Sequence, residues 1–200
     1  FVFVPVALPL RSGGLLTAAF LQDLVEINPQ TFEATKWNVD NNDWKKSLPR
    51  SVFIPTDLYE DPHGNIFVGT VTNGLVCIAP DHVRVHRVEG LSCKDISAIE
   101  PDQNGNIWVS TMNGLNKIDG HNGAITSYYS TDGIGGNQFN DRASCCLKSG
   151  EMVFGGTHGL TIFNPGNHYT RQNIPLVFKM LKVHNEVVSP DRSDCIDRNL

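Results

Sequence analysis

Along much of this chain a polar turn, a short apolar run, a glycine turn and a second apolar run follow one another in a fixed order. The clearest instance spans Asp102 to Asp119. Asp102-Gln103-Asn104-Gly105 is turn chemistry, Ile107-Trp108-Val109 is apolar, Asn113-Gly114 is a second turn, and Leu115 opens another run ending at Ile118. Two short apolar runs separated by an Asn-Gly pair predict a β-hairpin, and Ile96 to Glu100 predicts the strand that leads into it.

Three further copies can be aligned to this one. Leu58 to Thr70 with Asn73-Gly74-Leu75-Val76-Cys77-Ile78 is the second, and Ala143 to Leu147 with Gly150 to Thr157 and Gly159 to Phe163 is the fourth. The first is degraded: the turn Arg11-Ser12-Gly13-Gly14 precedes Leu15 to Ala19, and Leu24 to Pro29 and Thr31 to Trp37 read as its remaining strands. The turn glycines Gly13, Gly64, Gly105 and Gly150 are separated by roughly 40 to 50 residues, the length of a four-stranded propeller blade.

Each copy therefore predicts four strands: a lead-in, the strand after the Gly turn, the Gly-Leu strand and an outer strand. Ile107-Trp108-Val109 and Met152-Val153-Phe154 are apolar on both sides, as expected of sheets buried on both faces by stacked neighbours. No segment holds a 3.6-residue apolar period, so little helix is expected. The prediction is all-β, with about four blades of a partial propeller over residues 1–170. Beyond Pro165 the glycine signature stops, and Ile174 to Val188 reads as strand, Asn-containing turn and strand, the beginning of a second β domain over 171–200.

Composition narrows the function classes. The 200 residues are 40% hydrophobic and 18% charged, ordinary for a globular chain, and the net charge is -5 with no Lys/Arg cluster. That balance argues against a nucleic-acid partner for this segment and an anionic membrane surface, either of which needs a basic stripe. No apolar run reaches the ~20 residues of a membrane span. Phe1 to Leu10 could pass for a signal-peptide core, but it has neither an initiator Met nor a basic leader. It reads as a proline-interrupted strand, and the missing Met points to a segment of something longer. Five cysteines, Cys77, Cys93, Cys145, Cys146 and Cys195, form no CxxC pair and read as free thiols acting as small apolar residues.

With these residues in view, Asp102 to Thr111 followed by Asn113-Gly114-Leu115 resembles the two-component regulator propeller repeat. Asn137-Gln138-Phe139-Asn140, then Phe154 to Leu160 and Phe163-Asn164-Pro165, resembles the last blade of that family's propeller, and Ile174 to Pro190 is similar to the opening of its Y_Y_Y domain, an immunoglobulin-like sandwich. The resemblance implies the periplasmic sensor part of a hybrid two-component histidine kinase, with larger propellers than four blades. It implies recognition of oligosaccharides to control polysaccharide-utilisation genes, membrane attachment through a helix of the parent, and homodimerisation through the parent's sandwich. The kinase, receiver and DNA-binding parts lie outside these residues.

Several constellations compete with that reading. Asp102, Asn104 and Asn106 alternate like the start of a calcium loop. Ile107 stands where the sharp-turn Gly belongs and no bidentate Glu follows, so a hairpin turn is expected, with Asp102 and Asn104 capping amides and Gly105 at positive φ. His82 and His86 are expected on one face of a strand, without a metal partner. No cofactor, no metal and no catalytic residue is assigned. The candidate site is the blade end where the turns between second and third strands meet the connections between blades. Asn73, Met112, Asn113, Tyr129, Asn137, Phe139, Asn140 and His158 would contact the ligand there, the polar groups meeting sugar hydroxyls and Tyr129 and Phe139 stacking. A lyase or hydrolase at the channel mouth, and a structural or dimerising module, are the alternatives.

Overall fold

The computed structural model describes residues 6–18, 24–37, 54–82, 84–166, 181–183 and 186–188. The chain divides into two compact units, residues 1–166 and 167–200. In the first, strands β1 (Val6–Pro9), β2 (Leu15–Ala18), β3 (Val25–Ile27) and β4 (Ala34–Lys36) form an antiparallel sheet in chain order. Strands β5 (Pro55–Glu60), β6 (Ile66–Thr70), β7 (Leu75–Ile78) and β8 (Val85–Val88) form the second. The third is β9 (Ile96–Pro101), β10 (Ile107–Thr111), β11 (Gly114–Ile118) and β12 (Ile125–Tyr128). The fourth shows β13 (Phe139–Cys146), β14 (Met152–Gly156) and β15 (Gly159–Phe163). A fourth strand of this blade is not among the described residues, which leave out 167–180. In the second unit β16 (Leu181–Val183) pairs antiparallel with β17 (Glu186–Val188); most of the strand expected from Ile174 and the Asn-containing turn lie outside the described residues.

The repeat aligned by glycines is a repeat in hydrogen bonding. At the turn between first and second strands, the N–H of Leu10, Asp61, Asp102 or Leu147 donates to the carbonyl four residues on. The N–H of Gly13, Gly64, Gly105 or Gly150 donates back to the carbonyl of that first residue, Leu10, Asp61, Asp102 or Leu147. These glycines have φ of 81 to 90°, a left-handed conformation that costs a side-chain-bearing residue about 1 kcal/mol or more. Among the described residues the chain's helical content is a single 3-10 turn, Ser130–Asp132.

Consecutive blades bury apolar faces against one another in three layers. Val6, Leu16, Ala18, Leu24 and Trp37 of the first blade pack on Leu58, Ile66, Val68, Val76 and Ile78 of the second. Phe67, Leu75 and Cys77 then pack on Ile96, Ile99, Ile107, Val109 and Ile118 of the third. Trp108 and Leu115 in turn pack on Phe139, Met152 and Phe154 of the fourth, with Trp108 and Phe163 centroids 4.6 Å apart. Phe139 thus belongs to the core, which corrects its expected role as a stacking surface. Its ring is buried edge-on against Phe154 at 6.1 Å, because it faces the apolar layer that the fourth blade shares with Trp108 and Leu115 of the third.

The expected histidine pair is also corrected. His86 lies in β8, but His82 occupies the turn before it at φ 57° and stacks on Trp37 at 3.7 Å. Residue 82 closes a backbone turn to the Ala79 carbonyl, which ends any strand there.

Candidate functional site

The turns between second and third strands lie at the end where each innermost strand begins. Val71, Met112 and Thr157 donate their N–H to the carbonyls of Ile54, Asp95 and Gln138, the lead-in residues of their own blades. Gly74 and Gly114 donate to Lys94 and Asn137, the lead-ins of the following blades, at 2.9 and 2.7 Å. The second- and third-blade turns are thereby each fastened to two connections and the fourth to one, and a row of turns and connections forms one blade end. The backbone amides are consumed in building it, which leaves side chains to face outward.

Threonine closes two of these turns. Thr70 Oγ1 donates to Gly74 O at 2.7 Å and accepts from Asn73 N at 3.0 Å; Thr111 Oγ1 donates to Gly114 O at 2.8 Å and accepts from Asn113 N at 3.0 Å. Asn73 is nearly buried, so its part in this end is to shape the turn. Met112 and Asn113 are exposed at the tip of the third blade.

Around Gly114 several expected residues converge. Gly114 has φ 111°, and a Cβ there would stand 3.0 Å from both the Tyr128 carbonyl and Tyr129 Cε1, so the absence of a side chain lets Tyr129 approach. Tyr129 N donates to Asp132 Oδ2 at 2.9 Å, and Ser130 N donates to Asn137 Oδ1 at 2.7 Å. Asn137 therefore uses its amide oxygen and its backbone carbonyl in fixing the loop. Met112, Asn113, Tyr129 and Asn137 are brought together. His158 is exposed on the next turn, its Nδ1 3.0 Å from Thr157 Oγ1 and its ring against Gly136, where a Cβ would be 2.9 Å from Nδ1. Asn140 is exposed in β13, in the irregular stretch between Phe139 and Ser144.

Sequence reading missed the polar layer below this surface. Asn116 is fully buried, accepts from Ser92 N at 2.9 Å and Ser127 Oγ at 2.8 Å, and donates to Ser92 Oγ at 2.9 Å and Val109 O at 3.2 Å. All four hydrogen-bonding positions of its amide are used, so it pins the connection around Ser92 to the third blade. The available signal was Asn116 standing where the second blade has Val76.

The electrostatics of the innermost strands were likewise unread. Asp57 accepts from Leu58 N at 2.9 Å and from Ile99 N of the next blade at 2.8 Å. Burial pushes its carboxyl up from 3.8 to about 6, against those two donors, with Glu100 adding and Arg142 opposing. Glu100 repeats the arrangement one blade on, accepting from Ser144 Oγ at 3.0 Å and Cys146 N at 3.1 Å. Burial also raises the Cys77 thiol to about 11, which fits a packing role.

The turn weighed as a calcium loop is closed by its own amides. Asp102 Oδ1 accepts from Asn104 N and Asn106 N, and Oδ2 from Asn106 Nδ2 at 2.8 Å and Trp108 Nε1 at 2.9 Å. Asp102 is the cap, while Asn104 contributes only its N–H. Among the described residues, no group of three or more His, Cys, Asp and Glu could hold a metal. No helix there is long and apolar enough to cross a membrane.

Against known proteins, residues 90–113 match the family described as two component regulator propeller. The chain is similar to Histidine kinase P4 of Formosa agariphila, 30% identical over 95 residues that make up 46% of this chain and 7% of that protein. Its fold is similar to the extracellular domain of a putative hybrid two component system from B. thetaiotaomicron, at TM-score 0.67, 24% identity, 82% coverage of this chain and 22% of the other. A second such domain from the same organism matches at TM-score 0.60 and 24% identity, over 97% of this chain and 25% of the other. Virginiamycin B lyase from Staphylococcus aureus matches at TM-score 0.56 and 15% identity, over 80% of this chain and 55% of the other. The chain thus spans a quarter or less of the sensor proteins it resembles. It is a run of β-propeller blades in which residues 90–113 match the two component regulator propeller repeat.

Proposed function

We propose that this chain is part of the extracellular, periplasmic sensing region of a hybrid two-component histidine kinase and acts by binding, without bond chemistry. The ligand is an oligosaccharide released from a polysaccharide, and the output is control of the genes that use it. Contact is made at the blade end by Met112, Asn113, Tyr129, Asn140 and His158, with Asn73 and Asn137 holding the loops. The parent dimerises through an immunoglobulin-like sandwich that starts after the propeller, and reaches the membrane through its own helix.

The observation that supports this most is the consumption of backbone amides and Thr hydroxyls within the turns. It leaves exposed Met112, Asn113 and His158 beside the half-buried Tyr129 on a fixed frame, suited to hydroxyl-rich ligands. A lyase reading has in its favour only the shared fold with virginiamycin B lyase, and fold does not carry chemistry. Glycan-array screening of the chain, followed by mass spectrometry of the recovered ligand, tests the proposal. Retention of an intact oligosaccharide is expected; a shortened or unsaturated product would favour the enzyme, and an empty array would sink the sugar.

A further inference from the structure

Four turns of this chain are built on an Asn-Gly pair: Asn73-Gly74, Asn104-Gly105, Asn113-Gly114 and Asn122-Gly123. The pair suits a tight turn, and it also carries a reaction, attack of the Gly nitrogen on the preceding side-chain amide. Glycine leaves that nitrogen unshielded, but a nitrogen held as a hydrogen-bond donor reacts only after its bond opens. Three of the pairs are restrained in this way. Gly74 and Gly114 are buried, and their nitrogens donate to the Lys94 and Asn137 carbonyls at 2.9 and 2.7 Å. Gly123 N donates to Asp119 O at 2.8 Å, and the Asn122 side chain is engaged as well, its Oδ1 accepting from Ala124 N at 2.8 Å. At the remaining pair both Asn104 and Gly105 are exposed, and the Gly105 N–H meets the Asp102 carbonyl at 3.2 Å, the longest of the four bonds. Among the described residues the Asn104 side chain takes no hydrogen bond; only its backbone N–H is used. The other blades place Ser12, His63 and Ser149 before the same turn glycine, and none of these carries an amide.

We propose that Asn104-Gly105 is a self-modification site, converting to aspartate and isoaspartate in the folded chain while the other three pairs persist. Hydroxide takes the Gly105 N–H proton and the nitrogen bonds to Asn104 Cγ. The Cγ–Nδ2 bond then breaks, and Nδ2 leaves as ammonia with a proton from water, so a five-membered cyclic imide remains and hydroxide is returned. Water adds to one of the two imide carbonyls. Breaking the new N–Cγ bond restores the backbone with an aspartate side chain; breaking the original peptide bond leaves an isoaspartyl linkage that runs through Cβ and Cγ. No oxidant or reductant is consumed. Either product sets a carboxylate beside the buried Asp102, whose Oδ1 holds the Asn104 and Asn106 N–H groups at 2.9 Å and whose Oδ2 accepts from Trp108 Nε1. The isoaspartyl form also lengthens the backbone between those two amides, so modification loosens the cap of the third blade. The Asn113-Gly114 turn is spared because the Asn137 carbonyl holds its nitrogen.

Peptide mass spectrometry of the whole chain, incubated folded at mildly alkaline pH and in parallel unfolded in guanidinium, tests this. In the folded chain Asn104 should convert at least about fivefold faster than Asn73, Asn113 or Asn122, with fragmentation assigning each position and isoaspartate among the products. In guanidinium the four should convert at comparable rates, since the bonds that rank them are gone. Faster conversion at Asn113 or Asn122, no conversion at Asn104 in the folded chain, or the same ranking and spread in both conditions would overturn the proposal. The isolated isoaspartyl form should unfold at a lower urea concentration than the fresh chain; an unchanged midpoint would overturn the loosened cap. Asn104→Ser installs the residue that the first and fourth blades use at this turn position. It should abolish the conversion while keeping the midpoint of the fresh chain, and a fall in midpoint on incubation of this variant equal to that of the parent would assign the loosening elsewhere and overturn the proposal.

Discussion

At the scale of single residues, the account turns on side chains whose geometry is demanding. Asp102 receives four N–H groups with two oxygens while almost fully buried, and two of those donors are side chains, Asn106 and Trp108. Asp102→Ala leaves them without an acceptor and should lower stability by about 3 kcal/mol, read as a fall in the urea midpoint. Asp61 holds the same position in the second blade with Asn65 but no Trp, so Asp61→Ala should cost less. Phe32 presents the opposite case. It is 81% exposed at φ 58°, where the third blade's equivalent turn places Gly123 at 71°, and both donate back to the first residue of the turn. Phe32→Gly removes left-handed strain and no packing, and should raise the denaturation midpoint by about 1 kcal/mol equivalent.

Between elements, the innermost strands are tied by carboxylates that reach across blades. Asp57 keeps its proton to about pH 6 in the folded state but only to about its ordinary 3.8 when unfolded. The folded state therefore binds more protons in that window, and stability falls as pH rises from about 4 to about 6. Asp57→Asn should flatten that slope, visible as the difference between variant and wild-type urea midpoints measured across the window. An unchanged slope would show that the carboxyl is not the group responsible.

The legibility of the elements followed their chemistry. Gly13, Gly64, Gly105 and Gly150 were readable as turns because positive φ selects glycine, and the strands between them because both faces are apolar. Phe139 was misread since an aromatic ring beside an Asn looks the same in sequence whether the strand register buries it or not. His82 was misplaced because a two-residue period ran through a turn that only the backbone bond to Ala79 reveals. Asn116, Asp57 and Glu100 went unread since their partners, Ser92, Ile99 and Cys146, come together only when blades stack.

For the whole molecule, stacking does two things. It buries three apolar layers between four blades, and it lines up the turns so that Met112, Asn113, Tyr129 and His158 share one end. The fold is the scaffold and the turns are the surface it presents. Gly114→Ala should test the link between them, because a Cβ displaces Tyr129 and the Tyr128 carbonyl at once. It should weaken ligand binding together with a loss of about 1 kcal/mol or more in stability. The most direct measurement of the central claim is calorimetric titration of the chain with oligosaccharides from polysaccharide digests, in parallel with Asn113→Ala and His158→Ala. The account predicts saturable binding by the wild-type chain and an affinity at least about tenfold lower in both folded variants. Binding that neither substitution alters would contradict it.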